Sequence, residues 1–391
     1  MYLDAFINKL SIENNEPKWL ADFRVNSLEH VKTLNFEPDP NLSKYSDSKE
    51  IFKISIGDSE QIQKLASNVV ADIDSVKIVD INDAVYKNPK LKKMFESFQD
   101  YDSTEASINA CFRSGLYLSV PDNYKSDIPI QISAKVVGGL AVDKTFVDIG
   151  KSSHVKIIYE INGVTDNPAI LLQNLNFIIG TDSTLDLYAV QTAGPHSSIL
   201  LNYSINSFGK LNSVSVYSGG QNVRSRLKLN LMESGAEGVI HEAFAGSGNT
   251  QFDVLNKVNH IDRNTTSMVT SRAILNGSAK VVFKGVIRQE KEAVKSYTNL
   301  SEHSLLLSKD AKSTSIPSLE IETNDVRASH SASSHTIGTD EKFYLMSSGL
   351  SERKAANTIA LGFLNPILSR IANNMPNSND TVEQVVENIM I

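Results

Sequence analysis

From about Ser152 to Gly338 the chain is written in short alternations of apolar and polar residues. Leu185 and Leu187 alternate after Thr181-Asp182-Ser183, Val214 and Val216 follow Leu211-Asn212, and Val223, Leu227, Leu229 and Leu231 make the longest clean strand. Val239, Met268, Val281 and Phe283 continue the pattern. Comparable turn-exit residues at 183, 211, 236, 265, 279, 311 and 326 are separated by 28, 25, 29, 14, 32 and 15, close to one and two units of about 14 to 15. A two-strand rung repeated at that interval is what a parallel β-helix needs, because each coil buries its apolar residues only against the coils above and below. An antiparallel sandwich or barrel also shows short strands and frequent turns. Asn276-Gly277 is the one clear hairpin-type dipeptide, and periodicity alone leaves both architectures open.

The flanks read differently. Residues 1 to about 35 predict helices: Pro17 suits a first turn, and Leu20, Phe23, Ser27, Val31 and Leu34 share one face, with Trp19 beside them as a packing anchor. Glu37 to Lys49, with Pro38 and Pro40, reads as a linker. Beyond it, strands are expected at Ile51 to Ile56 and Val76 to Val79, and helices at Ser59 to Val70 and Asn82 to Phe98. Asn109 to Pro121 predicts a strand ending at a proline turn, and Ile128-Pro129-Ile130-Gln131-Ile132 a second strand. After Gly338 the pattern turns helical. Thr339 can cap Asp340 to Met346, Ser351 can cap Glu352 to Phe363, and Pro366 interrupts that helix or starts another. Past a polar break at Met375 to Asp380, Val382, Val385, Val386 and Ile389 make an amphipathic final helix. The expected division is an N-terminal helical and mixed domain at 1–100, a β core at 101–338 and a C-terminal helical domain at 339–391.

Composition narrows the function classes. A chain of 391 residues, 41% hydrophobic and 21% charged, has ample core for a globular fold. The net charge of −7 argues against a nucleic-acid or anionic-membrane binder. The N-terminus, Met-Tyr-Leu-Asp-Ala-Phe-Ile-Asn-Lys-Leu, does not read as a signal peptide, and no apolar run approaches the roughly 18 residues that span a bilayer, so a cytoplasmic location is expected. The single cysteine, Cys111, excludes an internal disulfide and any cysteine-based zinc or cluster site within one chain.

One stretch organises the rest: Leu305-Leu306-Leu307-Ser308-Lys309-Asp310-Ala311, then Ile316-Pro317-Ser318-Leu319-Glu320-Ile321, then Asn324-Asp325-Val326-Arg327-Ala328-Ser329-His330, closing on Phe343-Tyr344-Leu345-Met346-Ser347-Ser348-Gly349-Leu350. An apolar triplet, a proline-anchored acidic strand, an Asp-Val strand ending in histidine and an aromatic helix, in that order, resemble the C-terminal half of the SufD/SufB family of iron-sulfur cluster assembly proteins. Residues 16 to 24, 109 to 132 and about 260 to 338, including Phe283-Lys284-Gly285-Val286-Ile287, carry further likeness, as do 341 to 370. The resemblance implies a mostly β protein, with a right-handed parallel β-helix core between an N-terminal α/β domain and a C-terminal α-helical domain. It also implies a complex in which a SufC-type ABC ATPase docks on the C-terminal domain and SufB and SufD pair through their β-helix ends. The nascent cluster is then built with SufB supplying the cysteine.

Where SufB-type members carry that cysteine this chain reads Asp310-Ala311-Lys312, and where they flank the histidine with glutamates it has Ser329 and Ser331. Neither alanine nor serine replaces a thiolate as nucleophile or soft ligand, which points to the SufD type. The resemblance thus makes His330 the candidate cluster and partner-interface residue and candidate metal ligand, with His335 a weaker second. It implies no enzymatic activity, no cofactor held stably by this chain alone, and a transient cluster in the complex.

Phe343, Tyr344, Leu345, Gly349 and Leu350 become the expected ATPase-docking surface; on their pattern alone the aromatic residues could equally form the core of the terminal helices. The partner would be a SufB-type scaffold, or a second copy if the chain is itself a SufB-type homodimeric scaffold. A carbohydrate-active β-helix enzyme would need carboxylates clustered in one groove, whereas Asp340-Glu341 and Glu320 with Glu322 sit at a helix start and along one strand.

Other chemistry reads as structural. His241-Glu242 and Glu302-His303 are adjacent pairs that point to opposite faces of a strand, so neither makes a local dyad. Cys111 reads as a buried small hydrophobe, and Gly246 to Thr250 as a turn lacking the lysine of a phosphate loop. Arg224, Arg226 and Lys228 alternate with Val223, Leu227, Leu229 and Leu231 and read as a solvated outer face.

Overall fold

A computed structural model describes residues 2–39, 62–70, 75–98, 101–136, 138–163, 169–192, 196–218, 220–375 and 385. Its centre is a stack of flat coils, each made of two strands. The even strands β4 (Leu116–Val120), β6 (Gly139–Ile149), β8 (Ala169–Ile179), β10 (His196–Ile205), β12 (Asn222–Leu231), β14 (Gln251–His260), β16 (Lys280–Gln289) and β18 (Lys312–Ile321) form one sheet. The odd strands β5 (Ile130–Val136), β7 (His154–Gly163), β9 (Thr184–Thr192), β11 (Lys210–Ser218), β13 (Glu237–Gly246), β15 (Thr266–Leu275), β17 (Tyr297–Leu306) and β19 (Arg327–Thr336) form the other. Pairing within both stacks is parallel and in register, for example His196 with Asn222 and Lys280 with Lys312. Parallel pairing between strands one full coil apart decides for the β-helix over the sandwich.

Each coil turns its corner in the same way. Ser152, Asp182, Phe208, Gly235, Asn264 and Lys295 all sit at that corner with φ between 53° and 74°. The N–H of each donates to a carbonyl of the next coil, as from Asp182 to Ser207 and from Asn264 to Val294, both at 3.0 Å. The left-handed conformation is strained for a side chain, and the corner hydrogen-bond ladder offsets that strain. Between the sheets lie rows of stacked side chains, including Phe177 on Tyr203 at 5.0 Å and Tyr217 on Phe244 at 4.9 Å between ring centres.

The N-terminal elements close one end and one face. Helices α1 (Tyr2–Glu13) and α2 (Lys18–Thr33) occur as the sequence predicts, and Trp19 packs edge-on against Phe95. The helix expected at Ser59 to Val70 does not form over its described part. Strands β1 (Ile62–Gln63) and β2 (Ala66–Val70) lie there instead, β1 parallel to β6 and β2 antiparallel to β5. Edge pairing onto the sheets outweighs local helical propensity at those residues. Strand β3 (Lys77–Asp80) caps β4, and the next helical stretch is two helices, α3 (Ile81–Lys87) and α4 (Pro89–Ser97), broken at Asn88-Pro89. Asn109 to Cys111, expected in a strand, finish α5 (Ser103–Cys111), whose first turn is fixed by Asp102 accepting from Thr104 and Glu105 N–H groups. The strand expected at Ile51 to Ile56 and most of the linker lie outside the described residues.

At the C-terminal side, α6 (Thr339–Ser347) buries none of its residues. Helix α7 (Glu352–Ala372), capped by Ser351, runs unbroken through Pro366. It lays Leu364, Ile367, Leu368 and Ile371 on Val190, Val214, Val216, Ala243 and Ala245 of the odd sheet's outer face. Of the predicted final helix only Val385 is described, and it is buried in the same cluster.

Candidate functional site at the last coil

His330 lies in β19, the end strand of its sheet, and its side chain turns inward to only 5% exposure. Alternation along the strand decides this: Leu300, Glu302 and Ser304 of β17 face the interior, and Leu300 is the register partner of His330. Glu302 is the diagonal neighbour, with Oε2 3.2 Å from His330 Nε2, and the Ser315 hydroxyl of β18 donates to the same oxygen. Glu302 Oε1 and His330 Nδ1 are buried with no hydrogen-bond partner among the described residues. Beside Glu302 opens a cavity of about 120 Å³ whose lining also includes Phe283, Ser304, Ser313, Ser315 and Ser333.

Two coils further in, on the same inward column, is Glu242, since Glu242 registers with Ser271 and Ser271 with Glu302. Its Oε2 accepts from Asn256 and Ser271 at 2.9 and 2.8 Å. Burial, aided by the charge of Glu302, pushes its carboxyl up to about 7 against the two hydrogen bonds. A folded-state value above the unfolded one means a proton held on folding, so stability falls as pH rises from about 4.3 toward 7. Glu242→Gln is therefore expected to raise stability at pH 8 and to change it little at pH 4, read by urea unfolding at both.

The remaining sequence candidates scatter. His303 and His335 lie on the other face of the odd sheet, His335 against Phe363 at 5.8 Å, so neither joins His330. His241 also faces outward, and burial together with Arg370 and Arg272 lowers it to about 4. Cys111 is fully buried at the end of α5, its thiol pushed up to about 12 by burial. Ala311 is a core residue at the foot of β18. Phe343 and Tyr344 are 72% and 73% exposed. No group of three or more His, Cys, Asp or Glu side chains that could hold a metal ion occurs among the described residues.

Arg224, Arg226 and Lys228 do not form a solvated face. The N-terminal module covers that side of the even sheet, and both arginines are fully buried. Arg226 is bidentate to Asp253 at 3.1 and 3.0 Å, and Lys284 bridges Asp253 and Glu37, both at 3.0 Å. Arg224 reaches Asp102 at 3.0 Å and the Phe36 carbonyl at 2.8 Å, while Lys228 pairs with Glu105. Sequence reasoning missed Glu302 and the acidic partners alike. Of the acidic partners only Asp253 lies on a coil strand, where the one-coil register offset that pairs it with Arg224 could have signalled it; Glu37, Asp102 and Glu105 carry no such signal.

Fold and site together define a two-sheet parallel β-helix protein whose described sheets end at β18 and β19, with a buried imidazole and carboxylate in that last coil. Residues 132–363 match the SufBD core domain of SUF system FeS cluster assembly, and the chain belongs to that family of iron-sulfur cluster assembly proteins. It is similar to an iron-sulfur cluster assembly SufBD family protein of Staphylococcus aureus strain MRSA252, at 25% identity over 94% of this chain and 89% of the relative. A SufBD family protein of Staphylococcus saprophyticus matches at 24% over the same shares.

Proposed function

We propose that the chain is a SufD-like, non-enzymatic subunit that pairs through its last coil with a SufB-type scaffold and docks a SufC-type ABC ATPase, with His330 placed where the cluster forms. The observation that carries the reading is the donor set. The rim offers an imidazole and a carboxylate, while the chain's single thiol is buried in the N-terminal module. A nascent cluster prefers thiolate sulfur, so a partner must bring it. Strands β18 and β19 end their sheets and leave Leu319 and Ile321 exposed, which suits stacking of a second β-helix end.

The exposed aromatic end of α6, with Phe343, Tyr344, Leu345, Gly349 and Leu350, is the proposed ATPase surface, and α7 ties it to the odd sheet. Tyr344→Asp is expected to abolish ATPase co-purification while shifting unfolding free energy by less than about 0.5 kcal/mol. Retained co-purification would remove the surface assignment. The reading as a whole is tested by isolating the chain from native cytoplasmic extract and identifying its partners by mass. Both an ABC ATPase and a cysteine-bearing family member are expected, and recovery of the chain only with copies of itself would favour the homodimeric scaffold.

A further inference from the structure

We propose that Glu302 is the positioning residue of His330, fixing the imidazole as the Nε2–H tautomer so that Nδ1 alone can take a divalent cation, and that Gly285 is the residue that makes room for the ring. The inference rests on the reading of His330 given above and assigns roles to Glu302 and Gly285.

Glu302 and His330 stand on neighbouring strands, and their side chains are 1% and 5% exposed. Glu302 Oε2 already accepts from the Ser315 hydroxyl, and with the same oxygen accepting from the ring the hydrogen lies on Nε2. The Ser315 hydroxyl, donating to the same oxygen, holds the carboxylate in that direction. In that tautomer the lone pair resides on Nδ1, which has no partner among the described residues. A buried acceptor left without a donor destabilises a fold, and its presence in a site otherwise well supplied with serine hydroxyls needs a reason. Ligation supplies one: an imidazole that binds a metal through one nitrogen commonly donates its other N–H to a carboxylate, which fixes both tautomer and ring orientation.

The opposite sheet is shaped to fit. A Cβ at Gly285 would stand 2.7 Å from His330 Cε1 and 3.1 Å from Glu302 Oε1, so any side chain there displaces the ring, the carboxylate, or both. The register of β16 places Gly285 between Asn256 and Pro317 on the even sheet, directly across the interior from the pair. Because β19 is the end strand, the remaining ligands can come from a second subunit stacked on that rim.

The test uses the full-length chain labelled with nitrogen-15 in histidine, with the His330 resonances assigned from their loss in His330→Gln. Wild type is expected to show a protonated Nε2 and an unprotonated Nδ1. Glu302→Ala is expected to lose that pattern in favour of exchange between tautomers, and Gly285→Ala to shift the ring resonances while Glu302 remains. Titration with cobalt(II) alone should broaden the His330 signals, and Glu302→Ala should require about 10- to 100-fold more metal for the same broadening. A wild-type ring protonated on Nδ1, or cobalt curves that coincide for wild type and Glu302→Ala, would overturn the proposal. Both measurements are made without partners, so their failure is distinct from a failure of the SufD-like reading, which the native partners decide.

Discussion

Arg226→Ala is expected to lower the unfolding free energy by about 3 to 5 kcal/mol, the cost of leaving a buried ion pair with one partner removed. Arg226 is 1% exposed and holds Asp253 with two hydrogen bonds, with Glu37 3.5 Å away. Truncation leaves two buried carboxylates facing Lys284 as their nearest cation. The loss should appear in urea unfolding as a lower midpoint, and it should couple the N-terminal module to the coil, since Glu37 and Asp102 reach the network from outside the β-helix. A change under about 1 kcal/mol would contradict this. The exposed pair Lys210–Glu237 makes the control, where removal of either charge should cost almost nothing. Acid should act through the same network. Burial alone would raise Asp253, but Arg226, Lys284 and Arg224 outweigh it and hold the carboxyl well below its usual range. A depressed folded-state value means that this stabilisation is complete above about pH 4 and is lost as pH falls below it.

His330→Ala is expected to cut cluster yield in the assembled complex at least about tenfold while fold and subunit association survive. The stability cost has two parts, one lost hydrogen bond and the space left by a ring only 5% exposed. Removing the imidazole leaves Glu302 with the Ser315 donor, which makes the first part about 1 to 3 kcal/mol. The measurement is cluster absorption after anaerobic reconstitution of the complex, beside gel filtration of the same sample. Unchanged yield would remove His330 from the site.

Much of the architecture was legible because a stacked coil repeats its own physics. The alternation of Val223 to Leu231 and the recurring turn exits are forced by inward burial and by a corner that every coil must turn. What was not legible depends on contacts that sequence spacing does not carry. Arg224, Arg226 and Lys228 read as solvated because their acidic partners, Asp102, Glu105 and Glu37, stand about 120 to 190 residues upstream. The 62–70 segment read as helix because its strand character comes from pairing with β5 and β6, far along the chain. At the rim, His330 was visible through its motif, whereas Glu302 was dismissed as half of an adjacent pair with His303. Its partner is 28 residues away on the next coil and beyond the reach of a local pattern.

On the proposed function, this β-helix lacks the soft ligands to build a cluster alone and completes its site only against a thiol-bearing partner. Anaerobic incubation of the purified chain with ferrous iron and sulfide, followed by desalting, tests it most directly. The account predicts no retained sulfide-to-iron charge-transfer absorption from the chain by itself, and its appearance once a cysteine-bearing scaffold of the same family is added. A stable, stoichiometric cluster on the isolated chain would contradict it.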